Sequence, residues 1–195
     1  MPILKAGIVI AALGVAAATA SAQEAATGPL QVSDPILSAS VERLASDSPS
    51  WRAAIEAVAA TGRRTVLATA DEIKGGFDSG KLAQAHPLAD DQSRVDTVLV
   101  IVNVELMQQL SGLPVKAVEF ERDLDRIIAH EVYGHAIPLL IAGSLAGNCA
   151  DPAAGQSAAG ACAIKRENVI RKEMRLGQRF DYGRDSLAIA RRSQQ

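Results

Sequence analysis

His130-Glu131-Val132-Tyr133-Gly134-His135 sets two histidines around a glutamate, in the residue order of a zinc-hydrolase helix but with one residue more between the histidines. In the H-E-x-x-H pattern the histidines stand at i and i+4 on one helical face, and the glutamate beside the first serves as general base. Here they stand at i and i+5. At about 100° per residue, the second points roughly 140° away from the first on a regular α-helix. The two imidazoles share an ion only if the helix changes locally. A π-turn takes up one extra residue and recurs at functional sites. Alternatively the helix ends at Gly134 and His135 turns back from the first non-helical position. Gly134 suits either route, because glycine tolerates unusual φ/ψ. Pro138, which kinks or breaks a helix, supports a departure from regular geometry just beyond. The chain holds three histidines in all, His86, His130 and His135. Two of them within six residues, with a glutamate after the first, favour a metal site over two satisfied core histidines.

The residues upstream read as an amphipathic helix running into the motif. Val118, Leu124, Ile127, Ile128 and Val132 fall at helical spacings, with Glu119, Glu121, Arg122, Asp123, Asp125 and Arg126 between them. His130 stands close to the apolar stripe and is expected to face inward. Ahead of this helix, Ser33-Asp34-Pro35 starts one helix and Ser48-Pro49 another, through about Ala60, with Gly62 ending it. Thr65–Thr69 reads as a short strand. Val95–Val104 reads as a central strand, apolar on both faces. Residues 23–33 read as a flexible mature N-terminus, and Lys81–Gln92 is polar and poorly periodic. Ala163–Leu176 reads as a further helix ended by Gly177. Helices, a small sheet, then helices make an α+β domain.

Residues 1–22 have the form of a secretory signal: Lys5, an uncharged core from Ala6 to Ala18, and Ala20-Ser21-Ala22 as the cleavage site. The expected organisation is a signal peptide, 1–22, and a single domain, 23–195, exported to the periplasm or secreted. No other apolar stretch is long enough to span a bilayer, so no membrane contact is expected beyond the signal. The expected mature chain carries 19 Lys and Arg against 22 Asp and Glu, and aromatic content is 3%. Neither favours nucleic-acid binding. In an exported chain the only two cysteines, Cys149 and Cys162, invite a disulfide across the Gly/Ala-rich loop between them.

Two histidines do not complete a catalytic zinc site, which takes three protein ligands and a water. His86, beside Pro87 in the polar middle, is left out of the site. A carboxylate is then the natural third ligand. Glu167, in Arg166-Glu167-Asn168, comes 32 residues after His135 on a helix that can return opposite the motif. Asn168 and Arg171 are candidates to orient that carboxylate or bind a substrate carbonyl. Asp151 and Glu173 compete for the ligand role, although Glu173, between Lys172 and Arg175, looks like a surface ion pair.

His130-Glu131-x-x-x-His135-Ala136, then Cys162-Ala163-Ile164-Lys165-Arg166-Glu167-Asn168-Val169-Ile170-Arg171, then Leu176-Gly177-Gln178-Arg179-Phe180-Asp181-Tyr182-Gly183 together resemble the zincin-type metallopeptidase domains of bacterial effectors and Rhs-type toxins. Those pair an H-E-x-x-H-A helix with an A-V-x-x-E-N-x-x-R helix and a G-x-x-x-R-x-x-Y tail. The extra residue between the histidines resembles the H-E-x-x-x-H variant of tubulin-tyrosine carboxypeptidase-like metalloproteases. The likeness spans about residues 118–183. It implies a zincin-like fold in which a metal-binding motif helix packs with a small sheet. It also implies one zinc ion on His130, His135 and Glu167, with Glu131 as base. Tyr182, Tyr133 and Arg179 are candidates for a donor to the developing oxyanion. The expected activity is hydrolysis of a peptide or protein substrate. Two further readings stay open: a non-catalytic exported metal-binding module, and a zinc amidase acting on cell-wall peptides.

Overall fold

The computed structural model describes residues 28–73, 77–78, 80–89, 94–143 and 157–180. The expected signal segment, residues 1–22, together with Cys149, Asp151 and Tyr182, lies outside these, so the expected Cys149–Cys162 bridge and the role of Tyr182 are not described.

The chain folds as α+β around a mixed four-stranded sheet. The strands are β1 (Leu30–Val32), β2 (Arg64–Thr69), β3 (Ala83–Ala89) and β4 (Val95–Val102). Their order is β1-β2-β4-β3; β1, β2 and β4 run parallel and β3 is antiparallel to β4. β4 sits inside the sheet as its two apolar faces require, with Val98, Val100 and Val102 buried on one side and Ile101 on the other. Two strands arise where no strand is expected from the sequence. β1 occupies the segment read as a flexible N-terminus. β3 occupies the polar middle, and its Pro87 is admissible because β3 is an edge strand.

Local signals set the helix boundaries. Asp34 caps α1 (Pro35–Asp47), accepting from the amides of Ile36 and Leu37. Ser48 caps α2 (Pro49–Ala59), accepting from Trp51. Both follow the rule of a short polar cap before a proline at the first helical position. Asn103 caps α3 (Val104–Ser111). Then α4 (Val118–Ile128) runs into a π-helix (Ala129–Ala136), which continues into α5 (Ile137–Ala142). The last element is α6 (Ala158–Glu173).

Along the continuous α4–π–α5 rod, Phe120, Leu124, Ile128, Val132, Ala136 and Leu140 are all buried. They form a stripe at four-residue spacing that faces Leu37, Leu44, Trp51, Val58 and the valines of β4 in one core. Each such large side chain contributes roughly 1.5–3 kcal/mol on burial. The core therefore grips the rod on both sides of the motif. Among the described residues no helix is long and apolar enough to cross a membrane.

Candidate metal centre

The extra residue between the histidines is absorbed by the π-helix, the first of the two routes that the spacing allows. The amide of Ile137 donates to the carbonyl of Val132, five residues back. Widening the turn this way brings residues five apart toward one face. The helix does not end at Gly134, whose backbone is not in the left-handed region. Glycine is needed there for closeness instead: a Cβ would stand 3.1 Å from the Ala163 carbonyl oxygen and 3.2 Å from the Ala163 Cβ. The π-helix and α6 thus meet backbone to backbone. Pro138 has no amide hydrogen to donate to the Gly134 carbonyl, four residues earlier. The Arg166 guanidinium donates to it at 3.1 Å.

That close approach sets Glu167 on α6 against His130. Glu167 Oε2 lies 2.9 Å from His130 Nδ1. The carboxylate therefore draws the His130 proton to Nδ1 and leaves the Nε2 lone pair pointing outward. His130 Nε2 lies 3.2 Å from His135 Nε2, with the rings at 83° to each other. Two zinc–nitrogen bonds of about 2.0–2.1 Å at a tetrahedral angle would end about 3.3–3.4 Å apart. The pair fits two ligands of one ion. Burial, then the neighbouring His130 and Arg166, lower the His135 pKa to about 4. At neutral pH it is the uncharged imidazole that a metal requires.

Glu167 faces the Nδ1 side of His130, with both oxygens engaged. Oε1 accepts from Arg171 at 2.7 Å, and Oε2 is shared between His130 and Arg179, the latter at 3.2 Å. A carboxylate committed to Nδ1 is on the far side of the ring from an ion at Nε2. In this geometry the Glu167 carboxylate stands as an orienting partner of His130. Burial by itself would push the Glu167 carboxyl up; the hydrogen bond from His130, with Arg179 and Arg171, holds it below the usual range. Glu173, the competitor, is no surface ion pair. It accepts from the hydroxyls of Ser48 and Ser50 and the Ser50 amide, tying α6 to the start of α2. Among the described residues no group of three or more His, Cys, Asp or Glu side chains is arranged to hold an ion.

The histidines open into a cleft of about 600 Å³ walled by Gly80–Pro87 on one side and by Arg126, Glu131, Glu167 and Arg179 on the other. Glu131 has no hydrogen-bond partner among the described residues, and burial raises its pKa against the pull of His130, Arg179 and Lys81. Of the candidate oxyanion donors that are described, Arg179 lines the cleft, whereas Tyr133 does not. Asn168 holds the Arg179 backbone by two bonds, from Arg179 N at 2.8 Å and to Arg179 O at 2.7 Å. His86, set aside from the sequence, also lines the cleft, with Nε2 3.2 Å from Gln84 Oε1. The available signal was the alternation Ala83-Gln84-Ala85-His86, but alanine carries too little hydrophobicity to declare a strand. No family model matches the chain, and no curated protein or solved structure matches it.

Proposed function

We propose that the chain is an exported zinc-dependent metallopeptidase with a zincin-like arrangement. The observation that carries this reading is the 3.2 Å convergence of the His130 and His135 Nε2 atoms in a cleft that also holds Glu131. A bound zinc ion would supply a Lewis acid that acidifies water to a pKa near 7 and polarises a carbonyl. His130 and His135 would hold it, with Glu167 keeping the His130 lone pair on Nε2. Of the carboxylates weighed for the third ligand, Asp151 remains. Glu131 takes the proton of the attacking water on its carboxylate and passes it to the leaving amine. Arg179 is placed to donate to the carbonyl oxygen as charge develops there. β3 supports a peptide as substrate: among the described residues it is an edge strand, and the outward backbone groups of alternate residues in Ala83–His86 line the cleft wall, where an extended chain could pair with them before Pro87 interrupts the donors. The second reading, a non-catalytic metal-binding module, is favoured by the presence of only two converging ligands among the described residues. A cell-wall amidase would use the same machinery as the peptidase.

Elemental analysis of the purified mature chain is expected to give close to one zinc, lost in the His130→Ala, His135→Ala double variant. Glu131→Gln is expected to keep the zinc and to cut peptide-library hydrolysis by roughly 10²–10⁴-fold. No stoichiometric metal in the wild type would overturn the reading. Zinc without cleavage of peptides or peptidoglycan fragments would select the binding module.

A further inference from the structure

Behind the histidines lies a chain of contacts that begins in a turn. After α6 the backbone reverses through Arg175 (φ 57°) and Gly177 (φ 70°), with the Leu176 amide bonded back to the Arg171 carbonyl at 2.8 Å. This turn presents two successive carbonyls to two arginines. Leu176 O accepts from Arg126 Nη2 at 3.1 Å, and Gly177 O accepts from Arg171 Nε at 2.6 Å. Arg171 is 2% exposed, and its Nη1 holds Glu167 Oε1 at 2.7 Å. The other oxygen of Glu167 holds His130 Nδ1 at 2.9 Å.

We infer that Arg171, anchored by the Gly177 carbonyl, is a positioning residue that fixes the tautomer of His130 and thereby its affinity for metal. The inference rests on the reading of His130 as a metal ligand. The physical reason is that a carboxylate has two oxygens and a rotatable bond. Held at Oε1 by a planar guanidinium that is itself fixed at Nε, Glu167 keeps Oε2 turned to His130, at 2.9 Å, beside the weaker 3.2 Å contact from Arg179. The fork matters as well as the charge, because Arg171 serves two acceptors at once. Without it Oε1 is released, and the carboxylate is free to rotate away from His130 toward Arg179, which it already touches at 3.2 Å. His130 then loses its reason to keep the hydrogen on Nδ1, and the Nε2 lone pair that faces His135 is no longer guaranteed.

The test is made on the full mature chain. Imidazole ¹⁵N shifts of the metal-free protein report the His130 tautomer, and zinc titration reports affinity, for wild type, Arg171→Lys and Arg171→Gln. Wild type is expected to be protonated on Nδ1. Arg171→Gln is expected to show a tautomer mixture and a roughly 10–100-fold weaker zinc affinity, the scale of a lost partner behind a ligand. Arg171→Lys, which keeps the charge but reaches only one of the two acceptors, is expected between them. A merely structural role would lower the melting temperature and leave the tautomer of the folded protein unchanged. A folded Arg171→Gln with wild-type tautomer and zinc affinity would overturn the inference. Should Arg171→Gln fail to fold, a wild-type spectrum and affinity in Arg171→Lys would overturn it equally. A tautomer shift in a chain that binds no zinc would sink the metal reading and leave the positioning role standing.

Discussion

Asp125 and Glu167 are both buried carboxylates gripped by arginine, and they do different things. Asp125, on α4, accepts from Ser40 Oγ at 2.5 Å and from Arg43 Nη2 at 2.7 Å, both on α1. Arg43 reaches a second carboxylate on α4, Glu121, at 3.9 Å; the cluster ties two helices. Glu167 accepts from Arg171 and Arg179, but also from an imidazole whose other nitrogen opens into a cleft. Substituting a histidine for a hydroxyl as one partner turns a structural tie into a device that sets the state of an atom some distance away. The two carboxylates also titrate oppositely. Burial pushes Asp125 up in spite of Arg43 and Ser40. Glu167 is held down in spite of its burial, by His130 and the two guanidiniums.

The strongest way to break this comparison is to remove both carboxylates in turn. Glu167→Ala leaves Arg171 buried without its carboxylate and is expected to cost about 3–5 kcal/mol of stability by denaturant unfolding; Asp125→Ala leaves Arg43 partly exposed and still beside Glu121, and is expected to cost less. Only Glu167→Ala should also weaken zinc, by roughly 10–100-fold. Equal zinc affinities in the two folded variants would erase the distinction. Acid unfolding sharpens it. A carboxyl lowered in the native state contributes stability above its unfolded pKa and loses it as pH falls through the folded value; a raised one does the reverse. Glu167→Gln should therefore flatten the acid limb of stability against pH, and Asp125→Asn should steepen it.

A smaller effect is expected at the contact that delivers Glu167 to His130. Gly134→Ala must push α6 away from the π-helix, because its Cβ would meet the Ala163 backbone. The expected loss is about 1–3 kcal/mol, the usual scale of overpacking, with weakened zinc binding by the folded protein. A Gly134→Ala variant of wild-type stability and affinity would show that the close approach is dispensable. The smallest effect lies in the turn beyond α6. Arg175 holds a left-handed backbone at φ 57°, which glycine adopts without strain. Arg175→Gly is expected to raise stability by about 0.5–1 kcal/mol and leave zinc affinity alone; a loss of stability would assign the Arg175 side chain a role of its own.

What could be read from the chain was local. Asp34-Pro35 and Ser48-Pro49 announce helix starts because capping and proline's fixed φ act within a few residues. Val98, Val100 and Ile101 announce an interior strand because alternation cannot hide two apolar faces. The spacing of His130 and His135 demands a break from α-helical geometry, since the rotation per residue is a property of the backbone itself. The rest was decided in three dimensions. β3 was invisible because Ala83, Ala85 and Pro87 carry almost no pattern, and it became a strand only through pairing with β4. The choice of a π-helix over a helix end follows from a core that grips Ile128 and Val132 on one side and Ala136 and Leu140 on the other, keeping the rod continuous. Glu167 could be picked out as a partner of the histidines, but which nitrogen it meets depends on how closely α6 packs at Gly134. Proximity of that kind is a property of two surfaces far apart in the chain, Gly134 and Ala163 here, and no single segment of sequence contains it.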